Sequence, residues 1–365
     1  MKFEVLQEQL SKGLGLVSKA VATRPQLPVL ANVLIEAKAD GLVLSATDLE
    51  LGIVTRIPAK VLETGVVSVP SRMMVDFVNS LKPGKVECEL SKETLIVKAG
   101  GYKGRVQTIS AEEFPSLPVP STEVMAKIEG AKFQEAVTAT LHSAAKDALR
   151  PVLTGVLLSY SGSGKLKMVA TDGFRLAIKS LAVEGEGWEK PALVPSRAIA
   201  EAMKLSSEGD VGVVIYPETS QIVFQVGESI VVSQLLSGNY PEYQRIVPKE
   251  YGGVVDVARE DLLSALKAVH IFARDNSNVV KWVVTESGIE LSAETPERGE
   301  AKAEVAGKLE GDGVEISINA KFALDFLLAS KAESVSFSST DALSPGGFRE
   351  VGEKDYLYVV MPINA

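Results

Sequence analysis

One pair of residues recurs at a fixed distance along this chain of 365 residues, and the recurrence limits what the chain can fold into. Ala46-Thr47-Asp48-Leu49-Glu50-Leu51 is echoed by Ala170-Thr171-Asp172-Gly173-Phe174-Arg175, so the Thr-Asp pair at 47 returns at 171, 124 positions later. A fainter echo stands the same distance on, at Thr295-Pro296-Glu297-Arg298-Gly299, without the aspartate. A period this long means three copies of a domain, not a solenoid of short units.

The copies agree in detail. Each opens with a strand and an amphipathic helix: Val5 leads to Leu10, Leu14 and Val17; Ile128 to Phe133, Val137 and Thr140; Val257 to Leu262, Leu266 and Val269. The last two steps, four then three, trace one helix face. The facing side carries Lys12 and Lys19, Lys132 and Lys146, Lys267 and Arg274. A second helix is announced by Val69-Pro70-Ser71-Arg72, by Val194-Pro195-Ser196-Arg197 and by Ile318-Asn319-Ala320-Lys321, where Ser or Asn precedes an apolar-periodic run. The apolar faces expected are Met73, Met74, Phe77 and Val78; Ala198, Ile199, Ala202 and Met203; Phe322, Ala323, Phe326 and Leu327.

On the other face Arg72, Arg197 and Lys321 are each followed four residues later by an acid, Asp76, Glu201 and Asp325. Such a pair is usually a solvated contact worth roughly 0.2–0.5 kcal/mol. A leading base shared by three copies, beside lysines on each first helix, equally suits a common basic surface. Aromatic-proline connectors, Phe114-Pro115 and Tyr240-Pro241, cannot continue a helix and close the first two copies. The expectation is an α+β chain of three similar domains, residues 1–121, 122–246 and 247–365.

No catalytic constellation emerges. There is no glycine-rich phosphate loop, and two histidines, His142 and His270, with the single Cys88 cannot furnish a zinc tetrad. Both histidines are placed on first helices, and Cys88 is read as a small apolar group in a strand. Asp48 and Asp172 could hold Mg²⁺ or do acid–base work, the basis of an alternative metalloenzyme reading. Asp after Thr at a strand end more often caps its own turn. Arg175 is peculiar to the middle copy, with Leu51 and Gly299 at the equivalent positions. Beside Phe174 it fits either a peptide-binding hot spot or an ordinary strand edge. A lone cysteine and the acidic start of the chain make the cytosol the default compartment. The net charge of −9 argues against nucleic acid only if the charges are evenly spread.

Taken together, these features resemble the bacterial DNA polymerase III β subunits, the sliding clamps, from Met1 to Pro362. The carriers are Thr47-Asp48-Leu49-Glu50, Thr171-Asp172-Gly173-Phe174-Arg175-Leu176, Tyr240-Pro241-Glu242-Tyr243-Gln244-Arg245 and Tyr358-Val359-Val360-Met361-Pro362. The resemblance implies the DNA clamp fold, two chains joined head to tail into a ring, and duplex DNA held without sequence preference through a helix-lined hole. It implies a processivity factor with no catalytic residues, metal or cofactor. Its partners would be the DNA polymerase III α subunit, the clamp-loader δ subunit and other polymerases and repair proteins.

For DNA the resemblance points to Arg24, Arg72, Lys146 and Arg197, to which the helix-face argument adds Lys12, Lys132, Lys267 and Lys321. For a partner-peptide pocket it points to Leu153, Thr171, Gly173, Phe174, Arg175, Leu176, Pro241, Arg245, Ile246, Asn319, Phe322, Leu343, Val359, Val360, Met361 and Pro362. Val106, Ile271 and Phe272 are implied at the dimer interface. Asn364-Ala365 replaces a basic tail, Ser277 a common aromatic and Phe322 a common Tyr.

Overall fold

The chain is described by a computed structural model covering residues 1–118, 123–147, 149–295 and 299–363. The boundary expected at 121, the third echo at Pro296-Glu297-Arg298 and the tail pair Asn364-Ala365 lie outside the described residues. Within them are six helices: α1 Gln7–Val17, α2 Ser71–Ser80, α3 Gly130–Leu141, α4 Ser196–Leu205, α5 Arg259–Ala273 and α6 Ala320–Ala329. None is long and apolar enough to cross a membrane. The architecture is α+β, each helix entered from a strand.

The first helices are anchored by the apolar rows their sequences carry. Leu10, Leu14 and Val17 of α1, Phe133 and Val137 of α3, and Leu262, Leu266 and Val269 of α5 are all buried. Burying each such side chain contributes about 1.5–3 kcal/mol. The second helix of the first repeat is narrower than the sequence suggested, whereas α4 and α6 bury Ala198, Ile199 and Ala202 and Ala323, Phe326 and Leu327 as expected. In α2 only Met74 and Val78 of the four expected residues are buried, and Met73 is 55% exposed, because the helix meets its sheet along one row instead of two. The helix starts also divide. Asn319 caps α6 by accepting from Lys321 N at 2.9 Å, whereas Ser71 and Ser196 are first helical residues, the Ser196 hydroxyl donating to Thr154 O. His142 falls one residue beyond α3, in a turn, and not on the helix.

The chain forms two compact units whose limits do not follow the repeats. One holds Met1–Ala131, Glu184–Glu186 and Ala200–Leu235; the other holds Lys132–Val183, Gly187–Ile199 and Leu236–Ala365. The middle repeat is therefore shared between them. In the first unit, the strand Ser229–Gln234 of the middle repeat pairs antiparallel with Leu51–Ile57 of the first repeat and completes an eight-stranded sheet. Across that seam Val43 and Val54 pack with Val214, Val223, Ile230 and Val232. In the second unit, Arg175–Ala182 pairs with Tyr356–Val360 inside a twelve-stranded sheet, and Val169 and Leu176 pack with Tyr243, Leu357 and Val359. Both seams use the strand that follows a Thr-Asp turn and the last strand of the next repeat.

Two strands that should take part in a third seam of this kind keep an open side. Tyr102–Gln107, the last strand of the first repeat, ends a five-stranded sheet. In the long strand Gly299–Gly311, residues 299–306 pair only with Gly288–Thr295 among the described residues, and its far end alone reaches Gly253–Ala258.

Candidate partner-binding and nucleic-acid interface

The two Thr-Asp turns are built by the same hydrogen bonds. Thr47 Oγ1 donates to Leu51 O at 3.0 Å and accepts from Leu49 N; Asp48 Oδ1 accepts from the backbone N–H groups of Glu50 and Leu51. In the middle repeat Thr171 Oγ1 donates to Arg175 O at 2.6 Å and accepts from Gly173 N, while Asp172 Oδ1 accepts from Phe174 N and Arg175 N. The third residue of each turn must take a positive φ, which Gly173 (93°) adopts freely and Leu49 (79°) adopts under strain. Both aspartates therefore serve their own turns. Among the described residues no cluster of His, Cys, Asp or Glu could hold a metal ion.

What the middle copy adds is Arg175, and its side chain points inward instead of outward. The residue is 8% exposed, which is not the exposure of an ordinary strand edge. Its Nε donates to Asp172 Oδ2 at 3.0 Å, one terminal nitrogen pairs with Asp325 of α6 and reaches Tyr358 OH at 3.4 Å, and the other donates to His142 O at 2.5 Å. The guanidinium also lies 4.5 Å over the Phe322 ring. A buried charge is tolerable when it is paired and hydrogen-bonded, as here. Asp325 and Tyr358 are the residues the sequence reading missed. Asp325 was expected to face Lys321, and the one available signal was that Arg175 has no counterpart in the other copies. Glu201 takes Lys204 at 2.7 Å, and Arg72 meets Asp76 at 3.9 Å, as the spacing on the second helix anticipates.

Above this clasp lies an open, shallow hollow of about 10 Å³ lined by Thr171, Gly173, Phe174, Arg175, Leu176, Ile246, Val359 and Met361. Its rim is fixed by Met361 N donating to Phe174 O at 2.8 Å, and the Phe174 ring stands 65% exposed beside it. That volume is far below the roughly 300–1,000 Å³ of preformed small-molecule sites. The remaining expected pocket residues do not line it. Val360 turns to the opposite sheet face and is fully buried in the core around Trp282, as strand alternation requires once Val359 faces the hollow. Leu153 is buried, and Asn319 is used in capping α6 and in donating to Ser277 O. Phe322 and Pro362 are half-buried; Pro241, Leu343 and Arg245 are exposed, Arg245 paired with Glu242 at 2.5 Å.

All eight expected DNA contacts, Arg24, Arg72, Lys146, Arg197, Lys12, Lys132, Lys267 and Lys321, are exposed. Lys12 meets Glu208 at 2.7 Å. Val106, by contrast, is 3% exposed: it lies on the open-edged strand, but its side chain faces the core of its own repeat and only the backbone is offered. Ile271 is 53% exposed, and Phe272 packs partly against the core. Burial pushes the Cys88 thiol up to about 12, the behaviour of an inert core residue.

The chain matches the family described as DNA polymerase III beta subunit over its N-terminal domain at residues 1–118, its central domain at 127–242 and its C-terminal domain at 244–364. It is 32% identical to a beta sliding clamp of Synechococcus elongatus, covering all of this chain and 99% of that one. It is 31% identical to that of Escherichia coli, over the whole of both chains. Among solved structures, a Pseudomonas aeruginosa sliding clamp bound to griselimycin superposes with a TM-score of 0.93 at 31% identity, covering 100% of each chain.

His142 gives the clasp a pH limit. Its Nδ1 donates to Thr138 O at 3.1 Å, its Nε2 is buried without a hydrogen-bond partner among the described residues, and its ring lies 5.4 Å from that of Tyr358. Burial, and then the Arg175 charge, pull its pKa below the ordinary value; the Thr138 carbonyl and the carboxylates of Asp325 and Asp172 oppose this only in part. An unfolded chain then binds the proton more readily than the folded one. Stability is expected to fall as pH drops below about 6.5, by up to about 1.4 kcal/mol per pH unit until the folded pKa is passed. Urea midpoints of the wild type at pH 5.5 and 7.5 should show this loss, and His142→Gln should reduce it.

Proposed function

The chain belongs to the DNA polymerase III beta subunit family and serves as a processivity factor, a non-catalytic accessory subunit that works with DNA and polymerases; on that footing we propose that two copies close head to tail into a ring around duplex DNA. The observation that carries the proposal is the pair of open strand edges. Two seams join successive repeats within the chain, and the strands of a third, residues 299–306 and Tyr102–Gln107, are left without each other. A second copy supplies the missing partner at each end. Such head-to-tail contacts make a ring when the rotation closes. The repeats bounded at 121 and 246 are then the units of the ring.

Carrying over the register of the existing seams, where Thr55 faces Ser229 and Arg175 faces Val360, sets Arg105 opposite Glu300. It also sets Lys103 opposite Lys302, with Glu304 diagonal. Cross-strand opposite charges stabilise such pairs, and like charges directly opposite oppose them. In the proposed dimer, exposed Met73 of α2 and Ile271 of α5 add apolar surface beside the seam. Arg105→Glu and Ile271→Asp should each convert dimer to monomer in light scattering. Both are better probes than Phe272, whose partial burial would mix interface loss with unfolding. Dimers that survive both changes would sink the seam.

Lys12, Arg24, Arg72, Lys132, Lys146, Arg197, Lys267 and Lys321 provide the phosphate contacts in this proposal, and the chain acts in the cytoplasm. Contacts with phosphates carry no sequence information and weaken with salt, which suits a ring held by topology and free to slide. Loaded on a closed circular duplex, the protein should remain bound and be released on linearisation; Arg24→Ala with Arg72→Ala should shorten retention. Loss from closed circles as fast as from linear DNA would refute encirclement.

The hollow under Phe174 is proposed to take short peptides with a Gln, an aliphatic residue and a terminal Leu-Phe-like pair. These would come from the polymerase III α subunit, the clamp-loader δ subunit, other polymerases and repair proteins. Supporting this are its apolar walls and the binding of griselimycin by the Pseudomonas aeruginosa clamp. Met361→Glu, at the rim, should weaken such a peptide more than tenfold in fluorescence anisotropy while leaving retention on circles intact. Equal affinity in the variant would move the site elsewhere.

A further inference from the structure

We infer that Glu208 is a built-in stand-in for DNA phosphate, holding Lys12 in an exchangeable pair that loosens the ring's grip; the inference rests on the proposed role of Lys12 in DNA contact. Lys12 projects from α1 of the first repeat. Glu208 belongs to the middle repeat, on the 3₁₀ turn Ser206–Glu208 that ends α4. The Lys12 Nζ and a Glu208 carboxylate oxygen are 2.7 Å apart, with 69% and 49% of the side chains exposed.

The acid is held in place by its backbone. Leu205 and Ser206 are buried, Ser206 Oγ donates to Met203 O at 2.7 Å and Ser207 Oγ donates to Lys204 O at 2.9 Å, so the turn presents Glu208 from a fixed base. Both residues line a hollow of about 320 Å³ whose other cations are also matched with acids. Lys204 pairs with Glu201 at 2.7 Å, and Arg56 pairs with Asp40 and with Glu228. Arg72, with its own acid at 3.9 Å on the same helix, is held far less closely.

A phosphate that takes Lys12 must displace Glu208. The pair is exposed, so the exchange costs little and reverses readily, and the same lysine returns to Glu208 when the phosphate moves on. A cation of this kind contributes less to affinity and to salt dependence than one free in solution.

The test is equilibrium binding of a short fluorescent duplex by the full-length wild type, Glu208→Gln, Lys12→Ala and the double variant across a range of NaCl concentrations. Glu208→Gln should bind about two- to fivefold more tightly, and its slope of log K against log salt should steepen by up to about 0.9. In the Lys12→Ala background Glu208→Gln should have no such effect, which separates pairing from a general change in net charge. An equal gain in both backgrounds overturns the inference. Lys12→Ala weakening binding while Glu208→Gln matches the wild type also overturns it, leaving the DNA contact of Lys12 intact. Wild-type binding by Lys12→Ala removes that contact and the inference with it.

Discussion

The structure depends on one antiparallel pairing, made twice: the strand that leaves a Thr-Asp turn zips to the last strand of the next repeat. Backbone donors and acceptors on a buried sheet edge must be satisfied, and a repeat standing alone would leave such an edge open. Pairing each edge with the following repeat removes the problem inside the chain and defers it to the two ends. The valine-rich cluster at the first seam and the cluster of Leu176, Tyr243 and Val359 at the second put apolar burial behind the hydrogen bonds.

Against that shared frame the copies differ by a few side chains. Leu51 follows the first turn and is buried among its neighbours; Arg175 follows the second and draws in Asp172, Asp325, Tyr358 and the His142 carbonyl. The clasp also contributes to the lining of the hollow, through Arg175. It fixes the backbone on which Gly173 and Phe174 shape the hollow, and it ties that turn to α6. The three second-helix acids have likewise gone separate ways, Asp76 to its own helix base, Glu201 to Lys204 and Asp325 to Arg175.

The sequence made the repeats, the first-helix faces and the turn-capping role of Asp48 and Asp172 legible, because each depends on residues close together in the chain. It did not show which way Arg175 or Val106 points. The partners that bury Arg175 lie far along the chain, 150 residues away at Asp325 and 183 at Tyr358. For Val106, membership of an edge strand leaves the side chain's face undecided until the pleat is known. Met73 was misplaced for a related reason: a helix pattern gives an apolar stripe, but the width of the sheet beneath decides how much of it is covered.

The sharing of the middle repeat between the two compact units has a further meaning. The unit that was duplicated and the unit that folds are out of phase. Cutting the chain at its repeat boundaries would sever hydrogen-bonded sheets, whereas the compact bodies are assembled from alternating pieces of the chain. Losing the middle repeat would deprive both bodies of strands at once, whereas losing the first or the last would strip strands from one body alone.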